Sequence, residues 1–183
     1  FFLFLIFFFN REHLVVSGLT DALTGLHNRR YLEHRLGEEI ARARRYSHPL
    51  SCLFIDADHF KRVNDLHGHA AGDRALREIS LRVKECLRAS DVATRFGGEE
   101  FALLLPQTDA REAFSLAERI RKRVLAHPIP LERASPLTIS VSIGVSELDP
   151  ETVENPGQKL VSDADQALYQ AKHAGRNRVA LCS

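Results

Sequence analysis

Apolar positions follow two rhythms along this chain. Leu32, Leu36 and Ile40 recur every three to four residues, as do Leu76, Ile79, Val83 and Leu87, and then Ala113, Leu116, Ile120 and Val124. That spacing puts each set on one face of a helix. It predicts helices after Asn28, over residues 72–88 and over residues 110–126. A fourth stripe, Ala164, Ala167, Leu168 and Ala171, predicts a last helix. Ser162 and Asp165 resemble a capping-box start for it, and Gly175 marks its end. The second rhythm is that of strands. Residues 50–56 form a short apolar run ending in acid, which predicts a buried strand. Residues 92–96 and 101–105 flank Gly97-Gly98, a hairpin signal. Leu137, Ile139, Val141, Ile143 and Val145 alternate with Thr138, Ser140, Ser142 and Gly144, which predicts a strand with two distinct faces. Residues 179–181 read as a final strand.

Turn residues punctuate these elements. Gly25 and Asn28 mark a turn, and Asn28 can cap the helix that follows. Pro49 closes that helical segment, Gly68 and Gly72 bracket a loop, and residues 146–158 form a polar loop holding Pro150 and Pro156. The order is helix, strand, helix, hairpin, helix, strand, helix, strand. A hairpin in the middle excludes a purely parallel doubly wound sheet. The pattern fits an α+β sandwich, with a mixed, mainly antiparallel sheet flanked by helices.

Composition adds limits. The 183 residues suit one domain with a core and short flanks, and 44% apolar with 27% charged residues is an ordinary globular balance. Lys and Arg number 25 against 24 Asp and Glu, a net charge of +1, so no global field points to a nucleic-acid polymer. Any phosphate-binding surface must be a local cluster. Cys52, Cys86 and Cys182 are far apart and show no metal-ligand spacing, which suits a reducing compartment.

Residues 1–9, F-F-L-F-L-I-F-F-F, hold six of the eleven Phe. At ~1.5 Å per residue they fall short of a ~30 Å hydrocarbon layer. Asn10-Arg11 follows directly, as a cytoplasmic flank does. The expectation is the end of a transmembrane helix over 1–9, a linker or stalk over 10–20, and one domain over 21–183. It places the domain in the cytoplasm, on a protein anchored in the bacterial inner membrane.

Two acidic segments carry candidate chemistry. Asp56 stands where a buried strand stops, and Glu99 and Glu100 directly follow Gly97-Gly98, whose glycines allow a tight turn and close backbone approach. Carboxylates of Asp56 and Glu99 placed side by side repel by about 4 kcal/mol at ~4 Å and an effective dielectric of ~20. Either one takes a proton or a cation sits between them. Hard oxygen ligands without His or Cys favour Mg²⁺ or Mn²⁺. A calcium loop starting at Asp56 fails, because Lys61 stands where its glycine belongs and His67 where its glutamate belongs. No dinucleotide or P-loop glycine motif occurs. Alone, the glycine-acid hairpin also reads as a solvated tip. The other polar residues change that balance. Asn64 and Asp73 can together read a guanine edge, Lys61 lies one turn before Asp65, and Lys172 and Arg176 share a helix face.

Five blocks in order resemble the GGDEF family of diguanylate cyclases, in its G-G-E-E-F variant. They are D-A-L-T-G-L-H-N-R-R at 21–30, D-A-D-H-F-K-R-V-N-D at 56–65, G-H-A-A-G-D at 68–73, R-F-G-G-E-E-F at 95–101 and A-L-Y-Q-A-K-H-A-G-R-N-R at 167–178. The resemblance implies a nucleotide-cyclase-like sandwich, similar to a polymerase palm. It implies condensation of two GTP into cyclic di-GMP with release of pyrophosphate. Asp56, Glu99 and the carbonyl of Ala57 are then the Mg²⁺ ligands, and Glu99 is also the candidate base. Asn64 and Asp73 read guanine, with His69 near the nucleotide. Lys61, Lys172 and Arg176 hold phosphates together with the amides of His59 and Phe60. Each domain holds one GTP, so the implied active species is a homodimer. Arg88 and Asp91, an R-x-x-D just before the hairpin, imply a product-binding inhibitory site, with Arg119 or Arg121 as an assistant. The rival reading is a module of the same family that only binds GTP or cyclic di-GMP.

Overall fold

The computed structural model describes residues 18–131 and 135–182. The apolar run over 1–9 and most of the stalk lie outside the described residues. Among the described residues no helix is long and apolar enough to cross a membrane.

A two-residue strand β1 (His27–Asn28) leads into helix α1 (Arg29–Tyr46). Asn28 caps α1, its side chain accepting the Tyr31 N–H at 3.3 Å. Strand β2 (Leu50–Ala57) follows and is buried along its whole length. Two helices come next, α2 (Phe60–His67) and α3 (His69–Lys84). Strands β3 (Val92–Arg95) and β4 (Glu100–Pro106) form the hairpin, and helix α4 spans Ala110–Ala126. Strand β5 (Val141–Glu147), helix α5 (Pro156–His173) and strand β6 (Val179–Leu181) complete the chain.

The strands form one sheet in the order β1-β3-β4-β2-β5-β6. The inner pairs are antiparallel, whereas β1 with β3 and β5 with β6 are parallel. This is the expected α+β sandwich. Residues of β2 alternate between two cores. Leu53, Ile55 and Ala57 face α3 and α4 through Leu76, Ile79, Ala117 and Ile120. Leu50, Cys52 and Phe54 face α1 and α5 through Leu32, Ile40, Leu160 and Leu168. Helices on both sides explain why β2 reads as a nearly continuous apolar run, interrupted only by Ser51 before Asp56.

The structure corrects four expectations. The loop expected between Gly68 and Gly72 is absent: α3 begins at His69, ahead of the expected start at Gly72, and ends at Lys84 rather than at 88. Helix α2 is an element the periodicity did not reveal. Ser162 does not start α5, which begins at Pro156 after the cap residue Asn155. Strand β5 is shorter than its alternation, and Val141–Ser146 are all buried rather than two-faced. Gly144 and Ser146 are inward contacts to α5, whereas the Ser142 hydroxyl donates to Asp58. The Ser146 hydroxyl donates to Leu160 O at 2.7 Å, and a Cβ on Gly144 would sit 2.1 Å from Ala164 O and 2.2 Å from Leu168 N.

Candidate functional site

The site forms where β2 ends between its two neighbours. Register pairs Asp56 with Glu100 of β4 and with Ser142 of β5. The amide of Ala57 donates to Glu99 O at 3.2 Å, which brings the hairpin shoulder to the strand end. Asp56 is 7% exposed. From α5, the Lys172 ammonium reaches Asp56 Oδ2 at 2.7 Å. Burial pushes the Asp56 carboxyl above its usual range; Lys172 opposes the shift, and the charges of Glu99 and Glu100 add to it. A carboxylate held in this way favours a cation beside it.

Turn geometry at the hairpin differs from the expectation. Phe96 and Gly97 N–H groups converge on Glu100 O at 2.8 and 3.3 Å. The positive-φ glycines are Gly25, Gly68 and Gly175, so neither Gly97 nor Gly98 is needed for a left-handed backbone. A Cβ on Gly98 would meet nothing within 4 Å, whereas one on Gly97 would sit 3.0 Å from Glu100 Oε2, so Gly97 makes room for the acid and Gly98 leaves the tip bare. Arg95 clamps the loop from below. Its Nε and Nη2 donate to Gly98 O at 3.1 and 2.8 Å, and its Nη1 donates to both carboxylate oxygens of Asp21. Phe96 packs edge-on against Phe54 at 4.8 Å between ring centroids, with the Arg29 guanidinium over its ring.

Helices α2 and α3 meet closely. A Cβ on Gly72 would lie 1.9 Å from Asn64 Oδ1, so only glycine lets Asn64 stand against the start of α3. The structure thus brings together Asn64 and the neighbour of Asp73, two residues predicted to read one base. His59, with φ of 56°, turns the chain into α2, whose first amides lack intrahelical acceptors. Lys61, His69, Asp73 and Arg176 are exposed.

Arg88 and Asp91 lie outside this cluster, on a cavity of about 460 Å³ that Arg119 and Arg111 also line. The Arg88 amide donates to Asp91 Oδ2 at 2.8 Å. Of the two candidate assistants, Arg119 lines this cavity and Arg121 does not. Arg121 instead pairs with Glu118 and donates to Asn177 Oδ1 at 2.9 Å.

Among the described residues no three His, Cys, Asp or Glu side chains converge as a ready-made metal cage. Asp56 and the nearby charge of Glu99 are the kind of hard oxygen donors that a cation sharing phosphate and water ligands would use. Mg²⁺ is commonly held by one or two carboxylates plus a substrate's phosphates.

Sequence reasoning missed Asp58. It is 4% exposed and accepts from Ser140 Oγ, Ser142 Oγ and Asn177 N. The D-x-D spacing hinted at it, but Asp58 lies in the turn just past β2 and its partners lie far along the chain.

The profile described as "Diguanylate cyclase, GGDEF domain" matches residues 18–178. The chain belongs to the GGDEF family. It is 43% identical over 171 residues to the response regulator PleD of Caulobacter vibrioides, which covers 93% of this chain and 37% of the relative. It spans less than half the length of the curated relatives it matches. The solved GGDEF domain of DgcB from Caulobacter crescentus, in complex with c-di-GMP, superposes with a TM-score of 0.86 at 32% identity, covering 91% of this chain and 94% of that one. The active GGEEF domain of a diguanylate cyclase from Vibrio cholerae gives 0.78 at 37% identity, over 85% and 97% of the two chains.

Proposed function

We propose that this chain is the catalytic domain of a diguanylate cyclase, which joins two GTP into cyclic di-GMP and releases two pyrophosphates. The observation that carries the reading is the junction of Asp56, Glu99 and Lys172 at one strand end. It joins acids for a cation to an ammonium for phosphate in one GGDEF fold.

Asp56, Glu99 and the Ala57 carbonyl would hold Mg²⁺ or Mn²⁺, which would supply charge neutralisation on the triphosphate. Asn64 and Asp73 receive the guanine edge, with His69 beside the nucleotide. Lys61, Lys172, Arg176 and the amides of His59 and Phe60 bind phosphate oxygens. Glu99 accepts the proton of the attacking 3′-hydroxyl. A bond then forms from that oxygen to the α-phosphorus of the second GTP, and the bond to its β-phosphate breaks. Such transfer is mostly positioning and charge stabilisation.

A single domain of this kind offers one nucleotide site, so two copies must face each other for the two reciprocal attacks. Cyclic di-GMP, which the DgcB domain binds, returns as inhibitor to the cavity of Arg88, Asp91 and Arg119. Residues 1–9 would tether the domain to the cytoplasmic face of a membrane.

The test is incubation of the dimeric chain with GTP and Mg²⁺, with chromatographic detection of cyclic di-GMP and pyrophosphate. Folded protein that binds GTP yet yields no cyclic di-GMP would favour the binding-module reading.

A further inference from the structure

Asp58 is a buried carboxylate that the proposed chemistry does not use. Its own N–H donates to Ser140 O at 2.9 Å. Its Oδ1 accepts from Ser142 Oγ at 2.6 Å, and its Oδ2 accepts from Ser140 Oγ at 2.6 Å and Asn177 N at 3.0 Å. Three of these bonds hold Ser140 and Ser142 at the start of β5. The fourth reaches across to the turn that follows α5.

That turn is unusual. Arg176 and Asn177 are consecutive non-glycine residues with φ of 61° and 46°, in the left-handed region that L side chains rarely adopt. Such backbone persists only where its surroundings hold it. Here Arg176 N donates to Ala171 O at 3.1 Å, Ile143 N donates to Arg178 O at 2.9 Å, and Asp58 takes the N–H between them. Arg121 of α4 fixes the Asn177 side chain.

We propose that Asp58 is a positioning residue: by gripping the Asn177 N–H it locks the left-handed turn that presents Arg176 to the substrate phosphates. The inference rests on the reading of Arg176 as a phosphate ligand. It separates the two acids of the D-x-D pair, since Asp56 faces Lys172 and the hairpin whereas the Asp58 oxygens are engaged by hydroxyl and amide donors. A charge-assisted bond to a buried carboxylate is strong enough that its loss should weaken binding about tenfold.

The test is calorimetric titration of GTP and of guanosine in EDTA, where neither turnover nor metal contributes, on wild type, Asp58→Ala, Arg176→Ala and the double variant. Asp58→Ala should lose about tenfold in GTP affinity with guanosine affinity unchanged, and the double variant should bind no more weakly than Arg176→Ala. Equal losses for GTP and guanosine would make Asp58 a general structural residue and overturn the proposal. So would additive losses in the double variant, or a loss that appears only when Mg²⁺ is present. Wild-type affinity in Arg176→Ala overturns the phosphate reading itself, whereas loss there with none in Asp58→Ala overturns the positioning alone. Should Asp58→Ala fail to fold, Asp58→Asn replaces it. The same selective loss, about threefold, must then appear and vanish in the Arg176→Ala background; unchanged GTP affinity in folded Asp58→Asn overturns the proposal.

Discussion

Asp21 and Arg95, 74 positions apart in sequence, form a two-oxygen ion pair with Nη1 at 3.1 and 3.3 Å. Asp21 opens the turn that Thr24 closes, donating to Asp21 Oδ1 through its N–H at 2.9 Å and its hydroxyl at 2.7 Å. Arg95 simultaneously holds Gly98 O. The start of the domain and the tip of the acidic hairpin are therefore one connected piece.

A pH dependence follows from this pair. Burial alone would raise the Asp21 carboxyl, but the Thr24 bonds and the Arg95 charge outweigh it, and the group sits below its ordinary 3.8. A depressed carboxyl stabilises the fold above its unfolded value and loses that contribution as pH falls through the folded one. Asp21→Asn should cost about 1 kcal/mol at pH 7, a drop in Tm of about 2–4 °C. Thermal melts from pH 7 down to pH 3 should show the gap between variant and wild type closing at the acid end. A gap that widens there would contradict the assignment.

Glu99→Gln removes the proposed base and one cation ligand. Its side chain makes no ion pair among the described residues, so the fold should survive. Cyclic di-GMP formation should fall by at least about a hundredfold. Circular dichroism checks the fold, and full turnover in the variant would remove Glu99 from the chemistry.

Arg119→Ala and Arg121→Ala distinguish two neighbouring arginines. Arg119 lines the cavity of Arg88 and Asp91, and Arg121 does not. Arg119→Ala, like Arg88→Ala, should weaken inhibition by added cyclic di-GMP about tenfold while basal turnover persists. Arg121→Ala should leave inhibition in place. Inhibition curves over a range of product concentrations decide it.

Two glycines should fail differently. Gly144→Ala drives a methyl into the α5 backbone, which cannot yield locally, and should cost about 3 kcal/mol or more by denaturant titration. Gly72→Ala meets the end of the Asn64 side chain, which can move. It should therefore raise KM for GTP more than it lowers stability. An equal loss of stability in both would refute that contrast.

Long periodic segments were legible in the sequence: helix α4 occupies the predicted residues 110–126, and the hairpin forms around Gly97-Gly98. Helix α2 was not, because eight residues with only Phe60 and Val63 buried show too little period. Gly72 and Gly144 were placed in the right kind of element but their role was not legible, because it is tertiary: each marks a place where another element comes too close for a side chain. Asp56 stood out as the acid closing an apolar strand. Asp58 did not, because the amide that defines it lies 119 residues away.

Gly144 has one more consequence, which concerns distance along α5. Gly144 pairs with Phe54 and touches Leu168; Ser142 pairs with Asp56, which Lys172 touches. Two strand residues rise about 6.6 Å, and four helical residues rise about 6 Å. Helix and strand thus keep step, and the bare backbone contact is the zero mark of a ruler. Inserting one residue after Leu168 would swing the ammonium about 100° around the helix axis, off the mark that Asp56 sets.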